Sequence, residues 1–239
     1  MIPIRYCYQF QEELSGTSIT IILSYFHTFR SHMKSHEYIV ISGFNRSKVG
    51  KIIGSLASLI SGFLVFVILT YLENNSYIEA KSVMTPTVSS LISAGTMYLI
   101  LYWIFDSRLW KWKLISKIIN VPDLSGEWDC EGRGENKEGD VFSWHAKINI
   151  FQSWDKVHIR LQTSQSGSDS IAASIIYDGE IGYRLVYNYR NDPRINEKEL
   201  SPHMGFAELI FDKSLTTADG EYFNGRGRNT FGTMKLRKL

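Results

Sequence analysis

Cysteine is scarce. Cys7 and Cys130 stand far apart in 239 residues and fit neither a disulfide framework nor a metal-ligand spacing. They read as free, buried thiols in a reducing compartment. Net charge is scarce as well: a formal balance of +2 is too small for bulk electrostatic capture of nucleic acid, so DNA and RNA are not expected partners. Catalytic signatures are missing. There is no Gly-x-Ser-x-Gly elbow, no Walker loop, no His-Glu-x-x-His and no metal-ligand quartet. The serines of "SQSGSDS" have no histidine placed to activate them, and His27, His32 and His36 lack the carboxylate or cysteine set that would make them ligands. The expectation is a protein that is not an enzyme and has no cofactor or metal.

What the chain does have is two long uncharged runs. Ile52 to Leu72, "IIGSLASLISGFLVFVILTYL", is long enough to cross a bilayer as a helix. Thr87 to Phe105, "TVSSLISAGTMYLILYWIF", is nearly as long and ends in Tyr102, Trp103 and Phe105, which suit the headgroup belt. Small residues recur in both, as close helix packing in lipid requires. Arg46, Lys48 and Lys51 precede the first run, and Arg108, Lys111, Lys113 and Lys117 follow the second, whereas the loop between holds Glu73, Glu79 and one lysine, Lys81. Positive outer flanks put both termini in the cytoplasm. The first run starts too deep to be a cleaved signal peptide. Residues 1–49 carry no assigned role: Thr17 to Phe29 is apolar but short, and Met33 offers an alternative start.

After "LWKWKLISKIINVPDLSG", Pro122 and Gly126 stop any helix and the hydrophobic period switches to two. Eight strands are expected: Glu127–Gly132, Val141–Phe151, Lys156–Thr163, Ile171–Asp178, Tyr183–Tyr189, Gly205–Asp212, Gly220–Asn224 and Thr230–Arg237. With no helix to cover a sheet, they fit an up-and-down antiparallel eight-stranded barrel, with a two-sheet sandwich as the rival. Alternation turns Trp128, Cys130, Trp144, Ala146, Ile148, Ile150, Val157, Ile159, Leu161, Tyr187 and Leu209 inward, and sets His145 and His158 outside as solvent residues. Three connections are tight. The four longer ones, including "RGENKEGD", "SQSGSDS" and "RNDPRINEKELSPH", fall at one mouth, opposite the membrane.

At that mouth "YFNGRGRNTFGTMKL" carries Arg226 and Arg228 on the inward parity with Tyr222, Asn224 and Thr230. Trp144, Thr163, Tyr187 and Tyr189 share the same end. Cations facing a partly apolar cup are costly without an anion. Arginine forks suit phosphate, and flat rings stack on bases. A phosphorylated nucleobase compound meets these demands together. A solvated turn whose arginines pair with Glu131, Glu135 or Asp140 is one alternative, and a carboxylate-bearing lipid is another.

Two adjacent membrane helices, then "VPDLSGEWDCEG" opening a strand-only domain that closes with "DGEYFNGRGRNTFGTMKLR", resemble the two-transmembrane β-barrel effectors of bacterial CBASS anti-phage operons over residues 50–239. The resemblance implies that the barrel binds a cyclic dinucleotide made by a neighbouring nucleotidyltransferase. It further implies homo-oligomerisation, disruption of the bacterial inner membrane by the helices, and abortive infection. The expected organisation is a segment 1–49 of unclear role, a two-helix anchor and linker at 50–121, and a cytoplasmic ligand-sensing domain at 122–239. A tethered lipid-binding barrel, or a β-rich interaction domain without a nucleotide ligand, is the alternative.

Overall fold

A computed structural model describes residues 35–74, 93–197, 200–225 and 228–239. The elements run β1 (His36–Ile41), α1 (Arg46–Asn74), α2 (Ala94–Ser107), a 3-10 turn (Leu109–Lys111) and α3 (Lys113–Ile119). Eight further strands follow: β2 (Gly126–Glu135), β3 (Val141–Gln152), β4 (Lys156–Gln162), β5 (Ser166–Asp178), β6 (Gly182–Pro193), β7 (His203–Phe211), β8 (Thr217–Asn224) and β9 (Phe231–Lys238).

Asn45 starts α1 by accepting the backbone N–H of Ser47 on its side-chain oxygen at 2.8 Å, the usual way to satisfy a free donor at a helix start. From Ile52 onward no proline or charged residue interrupts the run until Glu73. Among the described residues α1 is the one helix long and apolar enough to cross a bilayer. Val49, Ile53, Ala57 and Ser61, four residues apart, form its buried stripe. Gly50 and Gly54 leave space beside the ring of Tyr98 on α2, so small residues bring the two helices together. Leu59, Phe63, Phe66 and Tyr71 of α1, with Leu99 and Trp103 of α2, remain exposed apolar surface of the kind lipid covers. Positions 87–92 of the second expected span lie outside the described residues, as do Cys7 and Thr17 to Phe29.

The β2–β9 segment pairs each strand with the next, as the alternation predicts, and β9 returns to β2. Two features of the sheet differ from the expectation. First, the ring holds a ninth strand, β1, drawn from the segment to which no role was assigned. The β4–β5 hairpin pairs directly only at Arg160–Gln162 and Gly167–Asp169, and β5 is irregular between Ser170 and Ala172. Beyond that point the two strands diverge and β1 fills the fork. It pairs antiparallel with β4 at His36 and Glu37, then parallel with β5 from Tyr38 to Ile41. The Ser170 hydroxyl sits at the branch, accepting the Ile159 N–H at 2.9 Å and lying 2.7 Å from His36 Nε2. His36 is thereby a structural residue. The sheet therefore extends beyond residues 122–239 to include 36–41.

Second, "SQSGSDS" is not a loop. Only Thr163–Gln165 turn, and β5 begins at Ser166, with Ser168 and Ser170 buried. Hydroxyls with partners can occupy an inward parity, so the lack of apolar residues misrepresented a strand as a connection. Likewise β6 runs on through Asn191 to Pro193.

The inward residues fill the ring on the helix side. Trp128 stands edge-on to Phe211 at 5.3 Å among Ile148, Ile150, Ile159, Ile175, Leu185 and Leu209, all 2 % exposed or less. Cys130 is a free thiol in this layer, pushed up to about 12 by burial first and by Asp129 and Glu131 second. On the outer face His145 is exposed, but His158 is not. It is 4 % exposed, lies 2.9 Å from Asp169 Oδ1 and stacks on Phe151, its partner across the strands.

The tight end of the ring lies against the helices. Its β3–β4 turn inserts Trp154 and Asp155 between them. Arg46 Nη1 donates to Asp155 Oδ1 at 2.9 Å, Tyr102 Oη donates to Oδ2 at 2.5 Å, and the Asp155 N–H donates to Asp106 at 3.0 Å. Trp154 joins Trp110, Val49, Ile53, Ile119 and Val121 in a second core.

Candidate ligand-binding cavity

At the other end, away from α1 and α2, the inward residues no longer fill the ring. Trp144 and Leu161 are only half-buried there, and a cavity of about 650 Å³ opens. Eight of the nine residues singled out by parity line it: Trp144, Thr163, Tyr187, Tyr189, Tyr222, Asn224, Arg228 and Thr230. The ninth, Arg226, lies outside the described residues.

Glycines make the room. A Cβ on Gly132 would overlap the Trp144 ring, and one on Gly134 would meet Phe142 at 2.5 Å and Tyr222 Oη at 2.6 Å. The aromatic rings of the wall thus rest against bare backbone of β2. Trp144 Nε1 donates to Tyr222 Oη at 2.9 Å, with the rings edge-on at 5.5 Å. Tyr189 Oη donates to Asn224 Oδ1 at 2.9 Å, and Asn224 Nδ2 donates to Thr230 Oγ1 at 2.7 Å. The Asn224 N–H also donates to the Thr230 carbonyl at 2.7 Å. These bonds clamp the base of the β8–β9 connection, with Asn229 taking the left-handed backbone there (φ 44°). Asn224 and Thr230 are therefore committed to holding the connection that presents Arg228.

Arg228 is half-buried, and among the described residues no carboxylate pairs with it; Glu131, Glu135 and Asp140 make no ion pair with it. No Asp or Glu lines the cavity among the described residues. The guanidinium charge reaches three neighbours. Burial raises the hydroxyls of Tyr189 and Tyr222, and Arg228 works against both shifts. Burial lowers His203, and Arg228 lowers it further. The cup is accordingly electropositive, aromatic on one side and hydroxyl- and amide-rich on the other.

That second side was missed in the sequence. Ser166, Ser168, Asn191 and His203 line it. The signal was available: the count Leu185, Tyr187, Tyr189 reaches Asn191 at the next inward position, and Ala207, Gly205 reaches His203. Polar identity stopped both counts too early. Among the described residues no group of His, Cys, Asp and Glu is placed to hold a metal ion.

A strand-only cup, positively charged and unfilled at its mouth, set on an apolar helix, defines the class: a ligand receptor domain on a membrane anchor. Residues 119–238 match the family model for the Cap15 cyclic dinucleotide receptor domain, and residues 47–111 match the model for the Cap15 TM helices. The chain is 48% identical over 207 residues to the CD-NTase-associated protein 15 of Yersinia aleksiciae, covering 87% of this chain and 99% of that protein. It is 28% identical over 156 residues to the protein of the same name from Staphylococcus schleiferi, covering 65% and 77%. The chain belongs to the Cap15 family, and the resemblance to CBASS effectors is borne out.

Proposed function

We propose that the cavity binds a cyclic dinucleotide supplied by a neighbouring nucleotidyltransferase, and that binding drives homo-oligomerisation and disruption of the bacterial inner membrane. The observation that carries this reading is the half-buried Arg228 in a cavity with no carboxylate among its described lining residues. Such a site lacks its counter-charge until an anion enters. Arg228, with Arg226 beside it in sequence, binds the phosphates, while Trp144, Tyr187 and Tyr189 offer ring faces to the bases. The volume suits a ligand of that size. A fatty acid fits less well: its tail would need an apolar shaft, and Trp128, Phe211 and Leu209 fill the ring beneath.

In this reading the chain senses rather than catalyses. It is anchored by two membrane helices, with both termini and the sensing domain in the cytoplasm. The connections at the mouth change on binding, and the exposed Phe223 and Phe231 near it supply apolar surface for a second copy. Clustering the domains concentrates the helix pairs, whose exposed faces then associate in lipid. The strand β1 links the ring directly to α1.

The test is expression with a constitutively active nucleotide synthase while inner-membrane potential is recorded. Depolarisation and cross-linked oligomers are expected only with both apolar runs intact and Arg228 present. A protein that stays monomeric in membranes with ligand bound, or kills equally well without its helices, overturns the mechanism.

A further inference from the structure

Asn191 stands on β6 directly across from Ser168 of β5 and His203 of β7, and all three line the cavity. It is 6 % exposed. Its Nδ2 donates to Ser166 Oγ at 3.1 Å, which uses one of the two amide N–H groups and fixes that end of the side chain. Its Oδ1 is buried and has no hydrogen-bond partner among the described residues. An unpartnered amide oxygen on a residue that lines the cavity is an acceptor waiting for a donor.

Building on the receptor reading, we infer that Asn191 is a specificity-determining residue, whose Oδ1 accepts an N–H from the pairing edge of one base of the ligand. The phosphates cannot serve: their oxygens accept only and would meet an acceptor. The ring faces cannot serve either, since they offer no donor, and the ribose hydroxyl, attached beside a phosphoester, goes with the phosphates to the Arg228 side. Every nucleobase carries an N–H on its pairing edge next to an acceptor. Ser168, opposite, has a hydroxyl to meet that acceptor. The cup is thus divided: phosphates go to the Arg228 side and a base edge to the Asn191 side. His203 lies beside Asn191, its Nδ1 3.1 Å from the Ser201 carbonyl.

The experiment uses the full-length chain in detergent. Cyclic di-AMP, cyclic di-GMP and cyclic di-UMP are screened by thermal unfolding, and the strongest stabiliser is compared with the analogue that lacks the N–H next to the acceptor: dimethylated at the exocyclic nitrogen of adenine, or methylated at the ring N–H of guanine or uracil. Wild type should prefer the parent by about tenfold or more, in the range of one buried polar partner lost. Asn191→Asp keeps an acceptor of the same size and should keep that preference. Asn191→Leu keeps the bulk but not the acceptor. It should bind the parent about tenfold more weakly and retain a preference under about twofold. Equal binding of both compounds by wild type overturns the inference, as does an undiminished preference in Asn191→Leu, which would mean a steric effect alone. If Asn191→Leu does not fold, loss of preference in Asn191→Asp overturns it. If no cyclic dinucleotide stabilises wild type, the receptor reading fails and the inference falls with it.

Discussion

Replacing Arg228 by alanine separates a ligand clamp from a structural arginine, because the two roles predict opposite signs. In the free protein Arg228 is half-buried, has no carboxylate partner among the described residues, and adds to the lowering of His203 that burial causes. Removing it abolishes no ion pair and relieves the burial of an uncompensated charge. The free protein should therefore be as stable as wild type or slightly more so. With ligand the sign reverses. A charge-assisted hydrogen bond is worth about 1.5–3 kcal/mol, so its loss should weaken binding by about 10- to 150-fold. Ligand at about 100 times the wild-type Kd stabilises by about 2.7 kcal/mol; a hundredfold loss of affinity leaves about 0.4 kcal/mol. For a chain of this size about 1 kcal/mol corresponds to roughly 2–4 °C, so a wild-type shift of about 5–11 °C should shrink to about 1–2 °C. Thermal unfolding of full-length protein in detergent, with and without a cyclic dinucleotide, reads both quantities. A variant that unfolds several degrees lower when free, yet keeps its full ligand shift, refutes the clamp.

Gly134→Ala would place a methyl 2.5 Å from Phe142 and 2.6 Å from Tyr222 Oη, so both rings must move; a stability loss of about 1–3 kcal/mol and weakened ligand binding are expected by thermal unfolding and titration. Lowering the pH tests His203. Its folded-state value lies below the ordinary one, so the unfolded chain takes up the proton first and stability falls as pH drops through about 6.5. Comparing wild type with His203→Gln between pH 8 and 5.5, roughly spanning that window, should show the shallower slope in the variant. Asp155→Ala leaves Arg46 and Tyr102 without their shared carboxylate; it should cost roughly 1–3 kcal/mol and suppress membrane depolarisation while ligand titration is unchanged.

How much of this was legible in the chain depends on the range of the interaction that decides each feature. The inward set from Trp128 to Leu236 follows from alternation, because successive side chains on a strand must face opposite sides wherever the sheet goes. The same counting brought Trp144, Thr163, Tyr187, Tyr189, Tyr222, Asn224, Arg228 and Thr230 to one mouth. It failed where polarity was mistaken for exposure. Ser166, Ser168, Asn191 and His203 hold inward positions because a ligand cavity, unlike a core, accepts hydroxyls and amides. His158 failed for another reason: Phe151 and Asp169, on two neighbouring strands, cover it from outside.

Local sequence determined eight of the nine described strands, apart from the polar start of β5, with their faces and the apolar anchor, since each depends on residues within a few positions of one another. Tertiary structure alone decided where "HEYIVI" goes. Its parallel seat on β5 exists only because β4 and β5 part beyond Ser170, more than 130 positions along the chain. It also decided that Asn191 keeps an oxygen bare, for that depends on which neighbour claims the other end of the amide.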